Sequence, residues 1–277
     1  MSGFARGFRA LAAALCIAGP SQAEAPARVV SMNLCTDQLA LMLAAPGQLV
    51  SVSYLAHTGA VAPLAEAARA LPANHGLAEE IYLLRPDLVL AGRYSTVATV
   101  AMLERLGIPV VRFEPEYSLD DVETALRQMG DLLGQQAQAQ ALIAGFRRDR
   151  AALATRLAGP GPRAVLYSAR GWTGGARTLA GDILRAAGLR NLADELGLEW
   201  GGVVALESLI LADPDRLILG RTATAPGWSE ARALMDHPAL RASRAYRAGV
   251  AVNDRDWVCG TPHVLGAVAR LIAGTAP

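Results

Sequence analysis

Five short stretches gather the side chains able to hold a ligand or do chemistry. They are Asn33-Leu34-Cys35-Thr36-Asp37, 54–57 with Tyr54 and His57, Arg93-Tyr94-Ser95, Arg170-Gly171-Trp172-Thr173-Gly174-Gly175, and 254–263 with Asp256, Trp257, Cys259 and His263. The tryptophans, Trp172, Trp200, Trp228 and Trp257, all fall in the second half and mostly in expected loops. A loop tryptophan is either a partly buried packing residue or a flat face for a large, rigid, partly apolar ligand. Trp172 and Trp257 fit the second use, because each follows an expected strand and has glycines nearby that let a backbone approach a ligand.

Cys35 and Cys259 each sit just before an expected helix, where the helix dipole lowers a thiol pKa. Three uses stay open for them: a bridge across a cleft, thiols that merely pack, and soft-metal ligation. A disulfide needs Cα atoms within about 7 Å, and a cleft that admits a sizeable ligand holds its walls farther apart. The expectation is therefore two free thiols in the ligand-free protein. His57, His75, His237 and His263 show no close ligand spacing, although His57, His75 and His263 can approach one cleft, which keeps a bare zinc or manganese site as an alternative. Cys259 and His263 also raise a secreted cysteine hydrolase. No Gly-x-Ser-x-Gly elbow, phosphate loop or orienting third residue accompanies them, so no catalytic residue is assigned and the chain reads as a non-enzyme.

These loops need strands and helices to aim them. Short apolar runs bounded by turn residues alternate with segments of helical period, the pattern of parallel sheets with crossover helices. Strands are expected at 28–31, 49–53, 87–91 and 109–113 with helices at 39–43, 79–84 and 97–106, then strands at 163–167, 216–219 and 250–252 with helices at 181–187, 206–211, 229–235 and 264–273. The fold class is α/β: two lobes, each a mostly parallel sheet flanked by helices. Ser118 followed by Asp121 opens a helical stretch that Gly134 divides, and its second part, 135–158, reads as a connecting helix ended by Gly159-Pro160-Gly161-Pro162. The division is 24–134, 135–158 and 159–277, with the ligand loops beyond the carboxyl ends of the strands facing one inter-lobe cleft.

Residues 1–23 carry the parts of a cleaved secretory signal: Arg6 and Arg9, an apolar stretch over 11–18, and Ser21-Gln22-Ala23. The apolar stretch is far shorter than the roughly 20 residues of a spanning helix. A soluble periplasmic protein starting near Glu24 follows. Without Arg6 and Arg9 the formal charge moves from +1 to −1, and nothing suggests nucleic acid. Cys35 and Cys259 are too few to scaffold a chain of this size, so its cores must carry the fold.

The segment 77–92 (LAEEIYLLRPDLVLAG) lines up without gaps on 205–220 (ALESLILADPDRLILG), matching Glu79 with Glu207, Leu83 with Leu211, Pro86 with Pro214, Asp87 with Asp215 and Gly92 with Gly220. Good turn chemistry used twice and the preference of helix starts for acids account for part of the repeat. Taken with RVVSMNLCTD at 28–37, Leu106-Gly107-Ile108-Pro109-Val110, the connector, and Asp256-Trp257 followed by Pro262, the sequence resembles the helical-backbone, Fe/B12-type class of periplasmic substrate-binding proteins of ABC importers. That class includes cobalamin binders and ferric-siderophore receptors. The resemblance implies a monomer that binds an iron or cobalt chelate (ferric siderophore, corrinoid or haem) between its lobes, with no covalent cofactor and no metal site of its own. It also implies delivery to an inner-membrane permease dimer, with Glu79 and Glu207 as the docking acids. On this reading the ligand is lined by Asn33, Cys35, Thr36, Tyr54, His57, Tyr94, Arg170, Trp172, Asp256, Trp257 and Cys259.

Overall fold

The computed structural model describes residues 24–157, 159, 161–221 and 234–275. The expected signal at 1–23, Trp228 and most of the expected helix 229–235 lie outside the described residues. No helix among the described residues is long and apolar enough to cross a membrane.

The first half builds a five-stranded sheet in the order β3-β2-β1-β4-β5, with β1 at Val29–Ser31, β2 at Leu49–Ser53, β3 at Ala73–Asn74, β4 at Leu88–Gly92 and β5 at Val110–Phe113. Every pairing in it is parallel. Val29, Val30, Val89 and Leu90 are fully buried, as a sheet covered on both faces requires. The cover comes from helices α1 (Leu34–Leu43), α2 (Ala65–Ala68), α3 (Ala78–Leu83), α4 (Val97–Arg105) and α5 (Leu119–Leu133).

The second half has a four-stranded parallel sheet in the order β11-β10-β6-β8, from β6 (Arg163–Tyr167), β8 (Arg190–Asn191), β10 (Arg216–Arg221) and β11 (Val250–Asn253). A small antiparallel pair, β7 (Trp172–Thr173) with β9 (Gly202–Val203), stands beside it. Its helices are α7 (Leu179–Ala186), α8 (Leu192–Glu195), α9 (Leu206–Ala212), α10 (Pro238–Ala242), α11 (Arg244–Arg247) and α12 (Val264–Thr275).

Helix α5 opens with the expected capping box, in which the Ser118 hydroxyl accepts from the Asp121 amide while the Asp121 carboxylate accepts from the Ser118 amide. It closes on Gly134 in the left-handed region at φ 69°, where a side chain is disfavoured. The connector, α6 (Gln136–Ala154), has 19 residues rather than the expected 24, about 28 Å at 1.5 Å per residue. It does not bridge open space, because it packs along α5, and α12 lies against it. One apolar core consequently runs through both halves, from Val29 and Leu39 through Leu126, Ile143 and Phe146 to Ile183 and Leu271. The Asp182 carboxylate of α7 reinforces the junction by accepting the buried Leu119 amide at the start of α5, at 2.7 Å.

The internal repeat is structural in detail. Helices α3 and α9 both end at a residue with positive φ, Arg85 at 48° and Asp213 at 39°, before the matched prolines. Asp87 then accepts the Ala27 and Arg28 amides at 2.8 and 3.0 Å, and Asp215 accepts the Arg163 amide at 2.9 Å. The arginines answer in kind: Arg28 donates to the Leu84 carbonyl at 2.7 Å and Arg163 to the Ala212 carbonyl at 3.0 Å. Each acid fixes the first strand of its sheet, and each arginine caps the carbonyls at a helix end.

Candidate functional site

Because each main sheet is parallel, the carboxyl ends of its strands share one edge, and the loops leaving that edge carry nearly all the candidate residues. After β1, Asn33 caps α1 by accepting the Cys35 and Thr36 amides at 3.0 and 3.4 Å. Thr36 is 1% exposed, its hydroxyl hydrogen-bonded to Ser31 at 2.8 Å and to the Asn33 carbonyl at 3.0 Å. Thr36 therefore builds the loop and cannot line a ligand, contrary to expectation. Asp37 continues the same construction by accepting the Ser53 amide, at 3.1 Å, and hydroxyl. Burial pushes its carboxyl up to about 6, against the opposing pull of hydrogen bonds from Ser31 and Ser53.

After β2, Tyr54 is half exposed and stacks on His75 with centroids 5.3 Å apart. Glu80 holds His75 from behind, accepting its amide at 2.7 Å and meeting Nδ1 at 3.1 Å; that amide bond comes first among the causes that pull the Glu80 carboxyl below its usual range. His57 and His263 each keep a buried Nε2 with no hydrogen-bond partner among the described residues. Burial holds the His263 imidazole below its ordinary pKa.

The thiols were expected to be free, and they are not. Cys35 and Cys259 form a disulfide with Cα atoms 5.1 Å apart. The loops meet because Cys259 packs with Leu34, Ala62 and Ala65 in a small apolar cluster belonging to both halves, so the bridge lies at a contact between lobes and not across an open mouth. Neither cysteine is left to bind a ligand or act as a nucleophile. Next to the bridge, Gly260 presses its backbone onto Glu116, where any Cβ would fall 2.2 Å from the Glu116 Cβ, and its amide donates to Glu116 Oε2 at 3.4 Å. Burial here pushes the Glu116 carboxyl up to about 7.

Two further expectations in this loop are corrected. Trp257 is only 9% exposed; its ring packs over Gly220 within the core, and its indole N–H donates to Asp254 at 3.4 Å. A short helical turn at Asp254–Asp256 immediately precedes it. Asp256 is committed to ion pairs with Arg270 and Arg255 and accepts from Asn253 at 3.4 Å. Both residues shape the loop instead of facing a ligand.

The exposed aromatics lie elsewhere. Tyr94, after β4, is 78% exposed, and its phenol lies close enough to Tyr117 to push the Tyr117 phenol pKa up. Tyr117, after β5, meets Trp200 of the second lobe edge-on, at 5.5 Å and 86°. The Arg177 guanidinium stands over the Trp200 ring at 5.5 Å and pairs with Glu199 at 3.2 Å. Trp172, 41% exposed, lies over Gly201 beside it, and Arg170 projects from a left-handed turn at φ 60° with no ion pair among the described residues. The structure thus brings Tyr94, Tyr117, Trp200 and Arg177 into one aromatic and cationic wall spanning both lobes. Only Tyr94 of these four was anticipated. Tyr117 follows a strand end and Trp200 precedes a glycine pair, signals that pointed to them equally well.

The family model described as periplasmic binding protein matches residues 29–253. A cobalamin-binding protein of Halobacterium salinarum is 28% identical over 256 residues, which span 89% of this chain and 68% of the relative. Among solved structures, a periplasmic heme binding protein from Pseudomonas aeruginosa superposes with a TM-score of 0.75 at 24% identity, covering 90% of this chain and 92% of that one. The periplasmic vitamin B12 binding protein of Vibrio cholerae does so at 0.69 and 18%, covering 90% and 96%. At these identities the structures establish a shared fold of parallel sheets flanked by helices.

Proposed function

The chain belongs to the periplasmic binding protein family, whose members bind solutes and are not enzymes, and from that premise we propose that it captures a metal chelate and delivers it to an ABC importer. The chelate is a ferric siderophore, a corrinoid or haem, held between a lobe at 24–134 and a lobe at 159–277 that the helix at 135–158 connects. The protein works as a monomer in the periplasm, reached through a signal at 1–23, and meets the inner-membrane permease dimer through Glu79 and Glu207. The observation that carries the reading is the wall of exposed rings, Tyr94, Tyr117, Trp172 and Trp200, at the strand ends of both lobes with Arg170 and Arg177 beside it. Flat rings take up a large, partly apolar ligand, and the guanidinium groups suit the carboxylate or phosphate groups such chelates carry. Tyr54, His57 and Asn33, on loops that follow strands of the first lobe, complete the ligand-binding set in this reading. The hydrolase alternative loses its nucleophile, because Cys259 is taken up in the bridge.

The test is titration of the purified protein with haemin, cyanocobalamin and a ferric hydroxamate, followed by tryptophan fluorescence and native mass spectrometry. One of the three should quench fluorescence with micromolar affinity or better and add a single ligand mass. If none binds while the protein remains folded, the chelate reading fails.

A further inference from the structure

The repeat preserves a feature that neither folding nor helix-end electrostatics requires. Leu83 and Leu211 occupy the same step in α3 and α9, and they are 77% and 86% exposed, among the most exposed large apolar side chains described. The preceding position is also apolar and exposed on both lobes, as Tyr82 and Ile210. Single exposed leucines are ordinary on protein surfaces. Here the same exposed leucine recurs in two lobes whose helices otherwise differ at most positions, while matched arginine and aspartate contacts lock both helix ends into one pose. Each leucine follows its lobe's first-turn glutamate by four residues, the spacing that puts two side chains on one helix face. Glu79 and Glu207 have no ion pair or side-chain hydrogen bond among the described residues. Both carboxylates are thus available to an outside cation.

We propose that Leu83 with Tyr82 and Leu211 with Ile210 are the apolar anchors of the permease-docking surface, each beside an unpaired acid. This deepens the docking reading of Glu79 and Glu207 and rests on it. The partner it fits is a twofold-symmetric membrane protein that offers two equivalent sites, each a cation next to an apolar hollow. The charges alone supply register and little affinity, because exposed ion pairs are weak and salt-screened. The leucines supply the salt-resistant share, since burying one fully is favourable enough to change an affinity by about tenfold or more.

The experiment measures binding of the full mature protein to the source organism's importer permease dimer in nanodiscs, at low and at high salt. Leu83→Ser and Leu211→Ser should each weaken docking about tenfold and the double variant about a hundredfold, since distant sites add. The loss should persist at high salt, with haemin, cobalamin or hydroxamate affinity and the melting temperature unchanged. Glu79→Gln with Glu207→Gln should instead lose affinity chiefly at low salt. If the leucine variants dock like the parent while the glutamate variants fail, the anchors are refuted and the docking reading stands. If all variants dock like the parent, or the parent does not dock, both fall.

Discussion

Removing the Cys35–Cys259 bridge tests how far the two lobes depend on a covalent tie. The bond joins residues 224 apart in sequence. Treated as a constraint on the unfolded chain, a loop of that size corresponds to about 5 kcal/mol at 25 °C. Native-state adjustment and residual structure in the unfolded chain usually reduce such values, so a loss of about 3 to 5 kcal/mol is expected. For a chain of this length that lowers the melting temperature by roughly 10 °C. Denaturant melts of the oxidised protein, the reduced protein and Cys35→Ala/Cys259→Ala provide the measurement. Alanine suits both sites, because Cys259 is buried among apolar neighbours and serine there would add an unsatisfied hydroxyl. Agreement between the reduced protein and the double variant would show that the bond, not the side chains, carries the effect. A difference below about 0.5 kcal/mol between the oxidised and reduced forms, or two reactive thiols in the unreduced protein, would refute the reasoning.

Trp172→Ala and Trp200→Ala should each weaken the bound chelate about three- to tenfold and remove part of the fluorescence quench; isothermal titration checks the affinity, and unchanged binding in both would move the ligand to other loops. Trp257→Ala, by contrast, should cost about 3 kcal/mol or more in a denaturant melt because its ring fills the core over Gly220. Glu116, held up to about 7 by burial, binds more protons folded than unfolded, so the stability linked to it is complete below about pH 4.5 and is lost as pH rises through about 7. Glu116→Gln should flatten the decline in stability between pH 5 and 8, by an amount on the order of 1 to 3 kcal/mol, in melts at fixed ionic strength; an unaltered slope would count against the assignment. Asp215→Ala should destabilise by about 1 to 3 kcal/mol, since the Arg163 amide and the Arg244 guanidinium lose their shared acceptor.

Much of the scaffold was legible because buried parallel strands write themselves as short apolar runs: Leu49–Ser53 and Arg163–Tyr167 lie where they were read, and the capping box at Ser118 was visible in its spacing. Two-residue strands such as β7 and β9 carry no period and left no trace. The thiols were misread because the separation of two loops is tertiary information. Sequence showed each cysteine just before an expected helix but not that the two loops would meet in one apolar cluster with Ala62 and Ala65. Trp257 satisfied the same rule of strand end and nearby glycine as Trp172, yet its ring is buried over Gly220 while the Trp172 ring stays exposed. The contact of Tyr117 with Trp200 joins residues from different lobes, and no local pattern encodes it.

The order of the chain gives the bridge a place in the protein's biogenesis. Synthesis at about 5 to 20 residues per second separates the appearance of Cys35 from that of Cys259 by roughly 10 to 45 seconds. In that interval the whole first sheet and both helices of the junction are already made, with one unpaired sulfur waiting at the start of α1. Apart from Cys16, in the expected signal, the chain has no other cysteine, so a signal-free molecule has no wrong internal partner to offer, and only another molecule can capture the waiting thiol. The bond needs the 259–263 loop beside α1, where Cys259 packs with Leu34, Ala62 and Ala65, so it joins a late loop to the first helix only after both have been made.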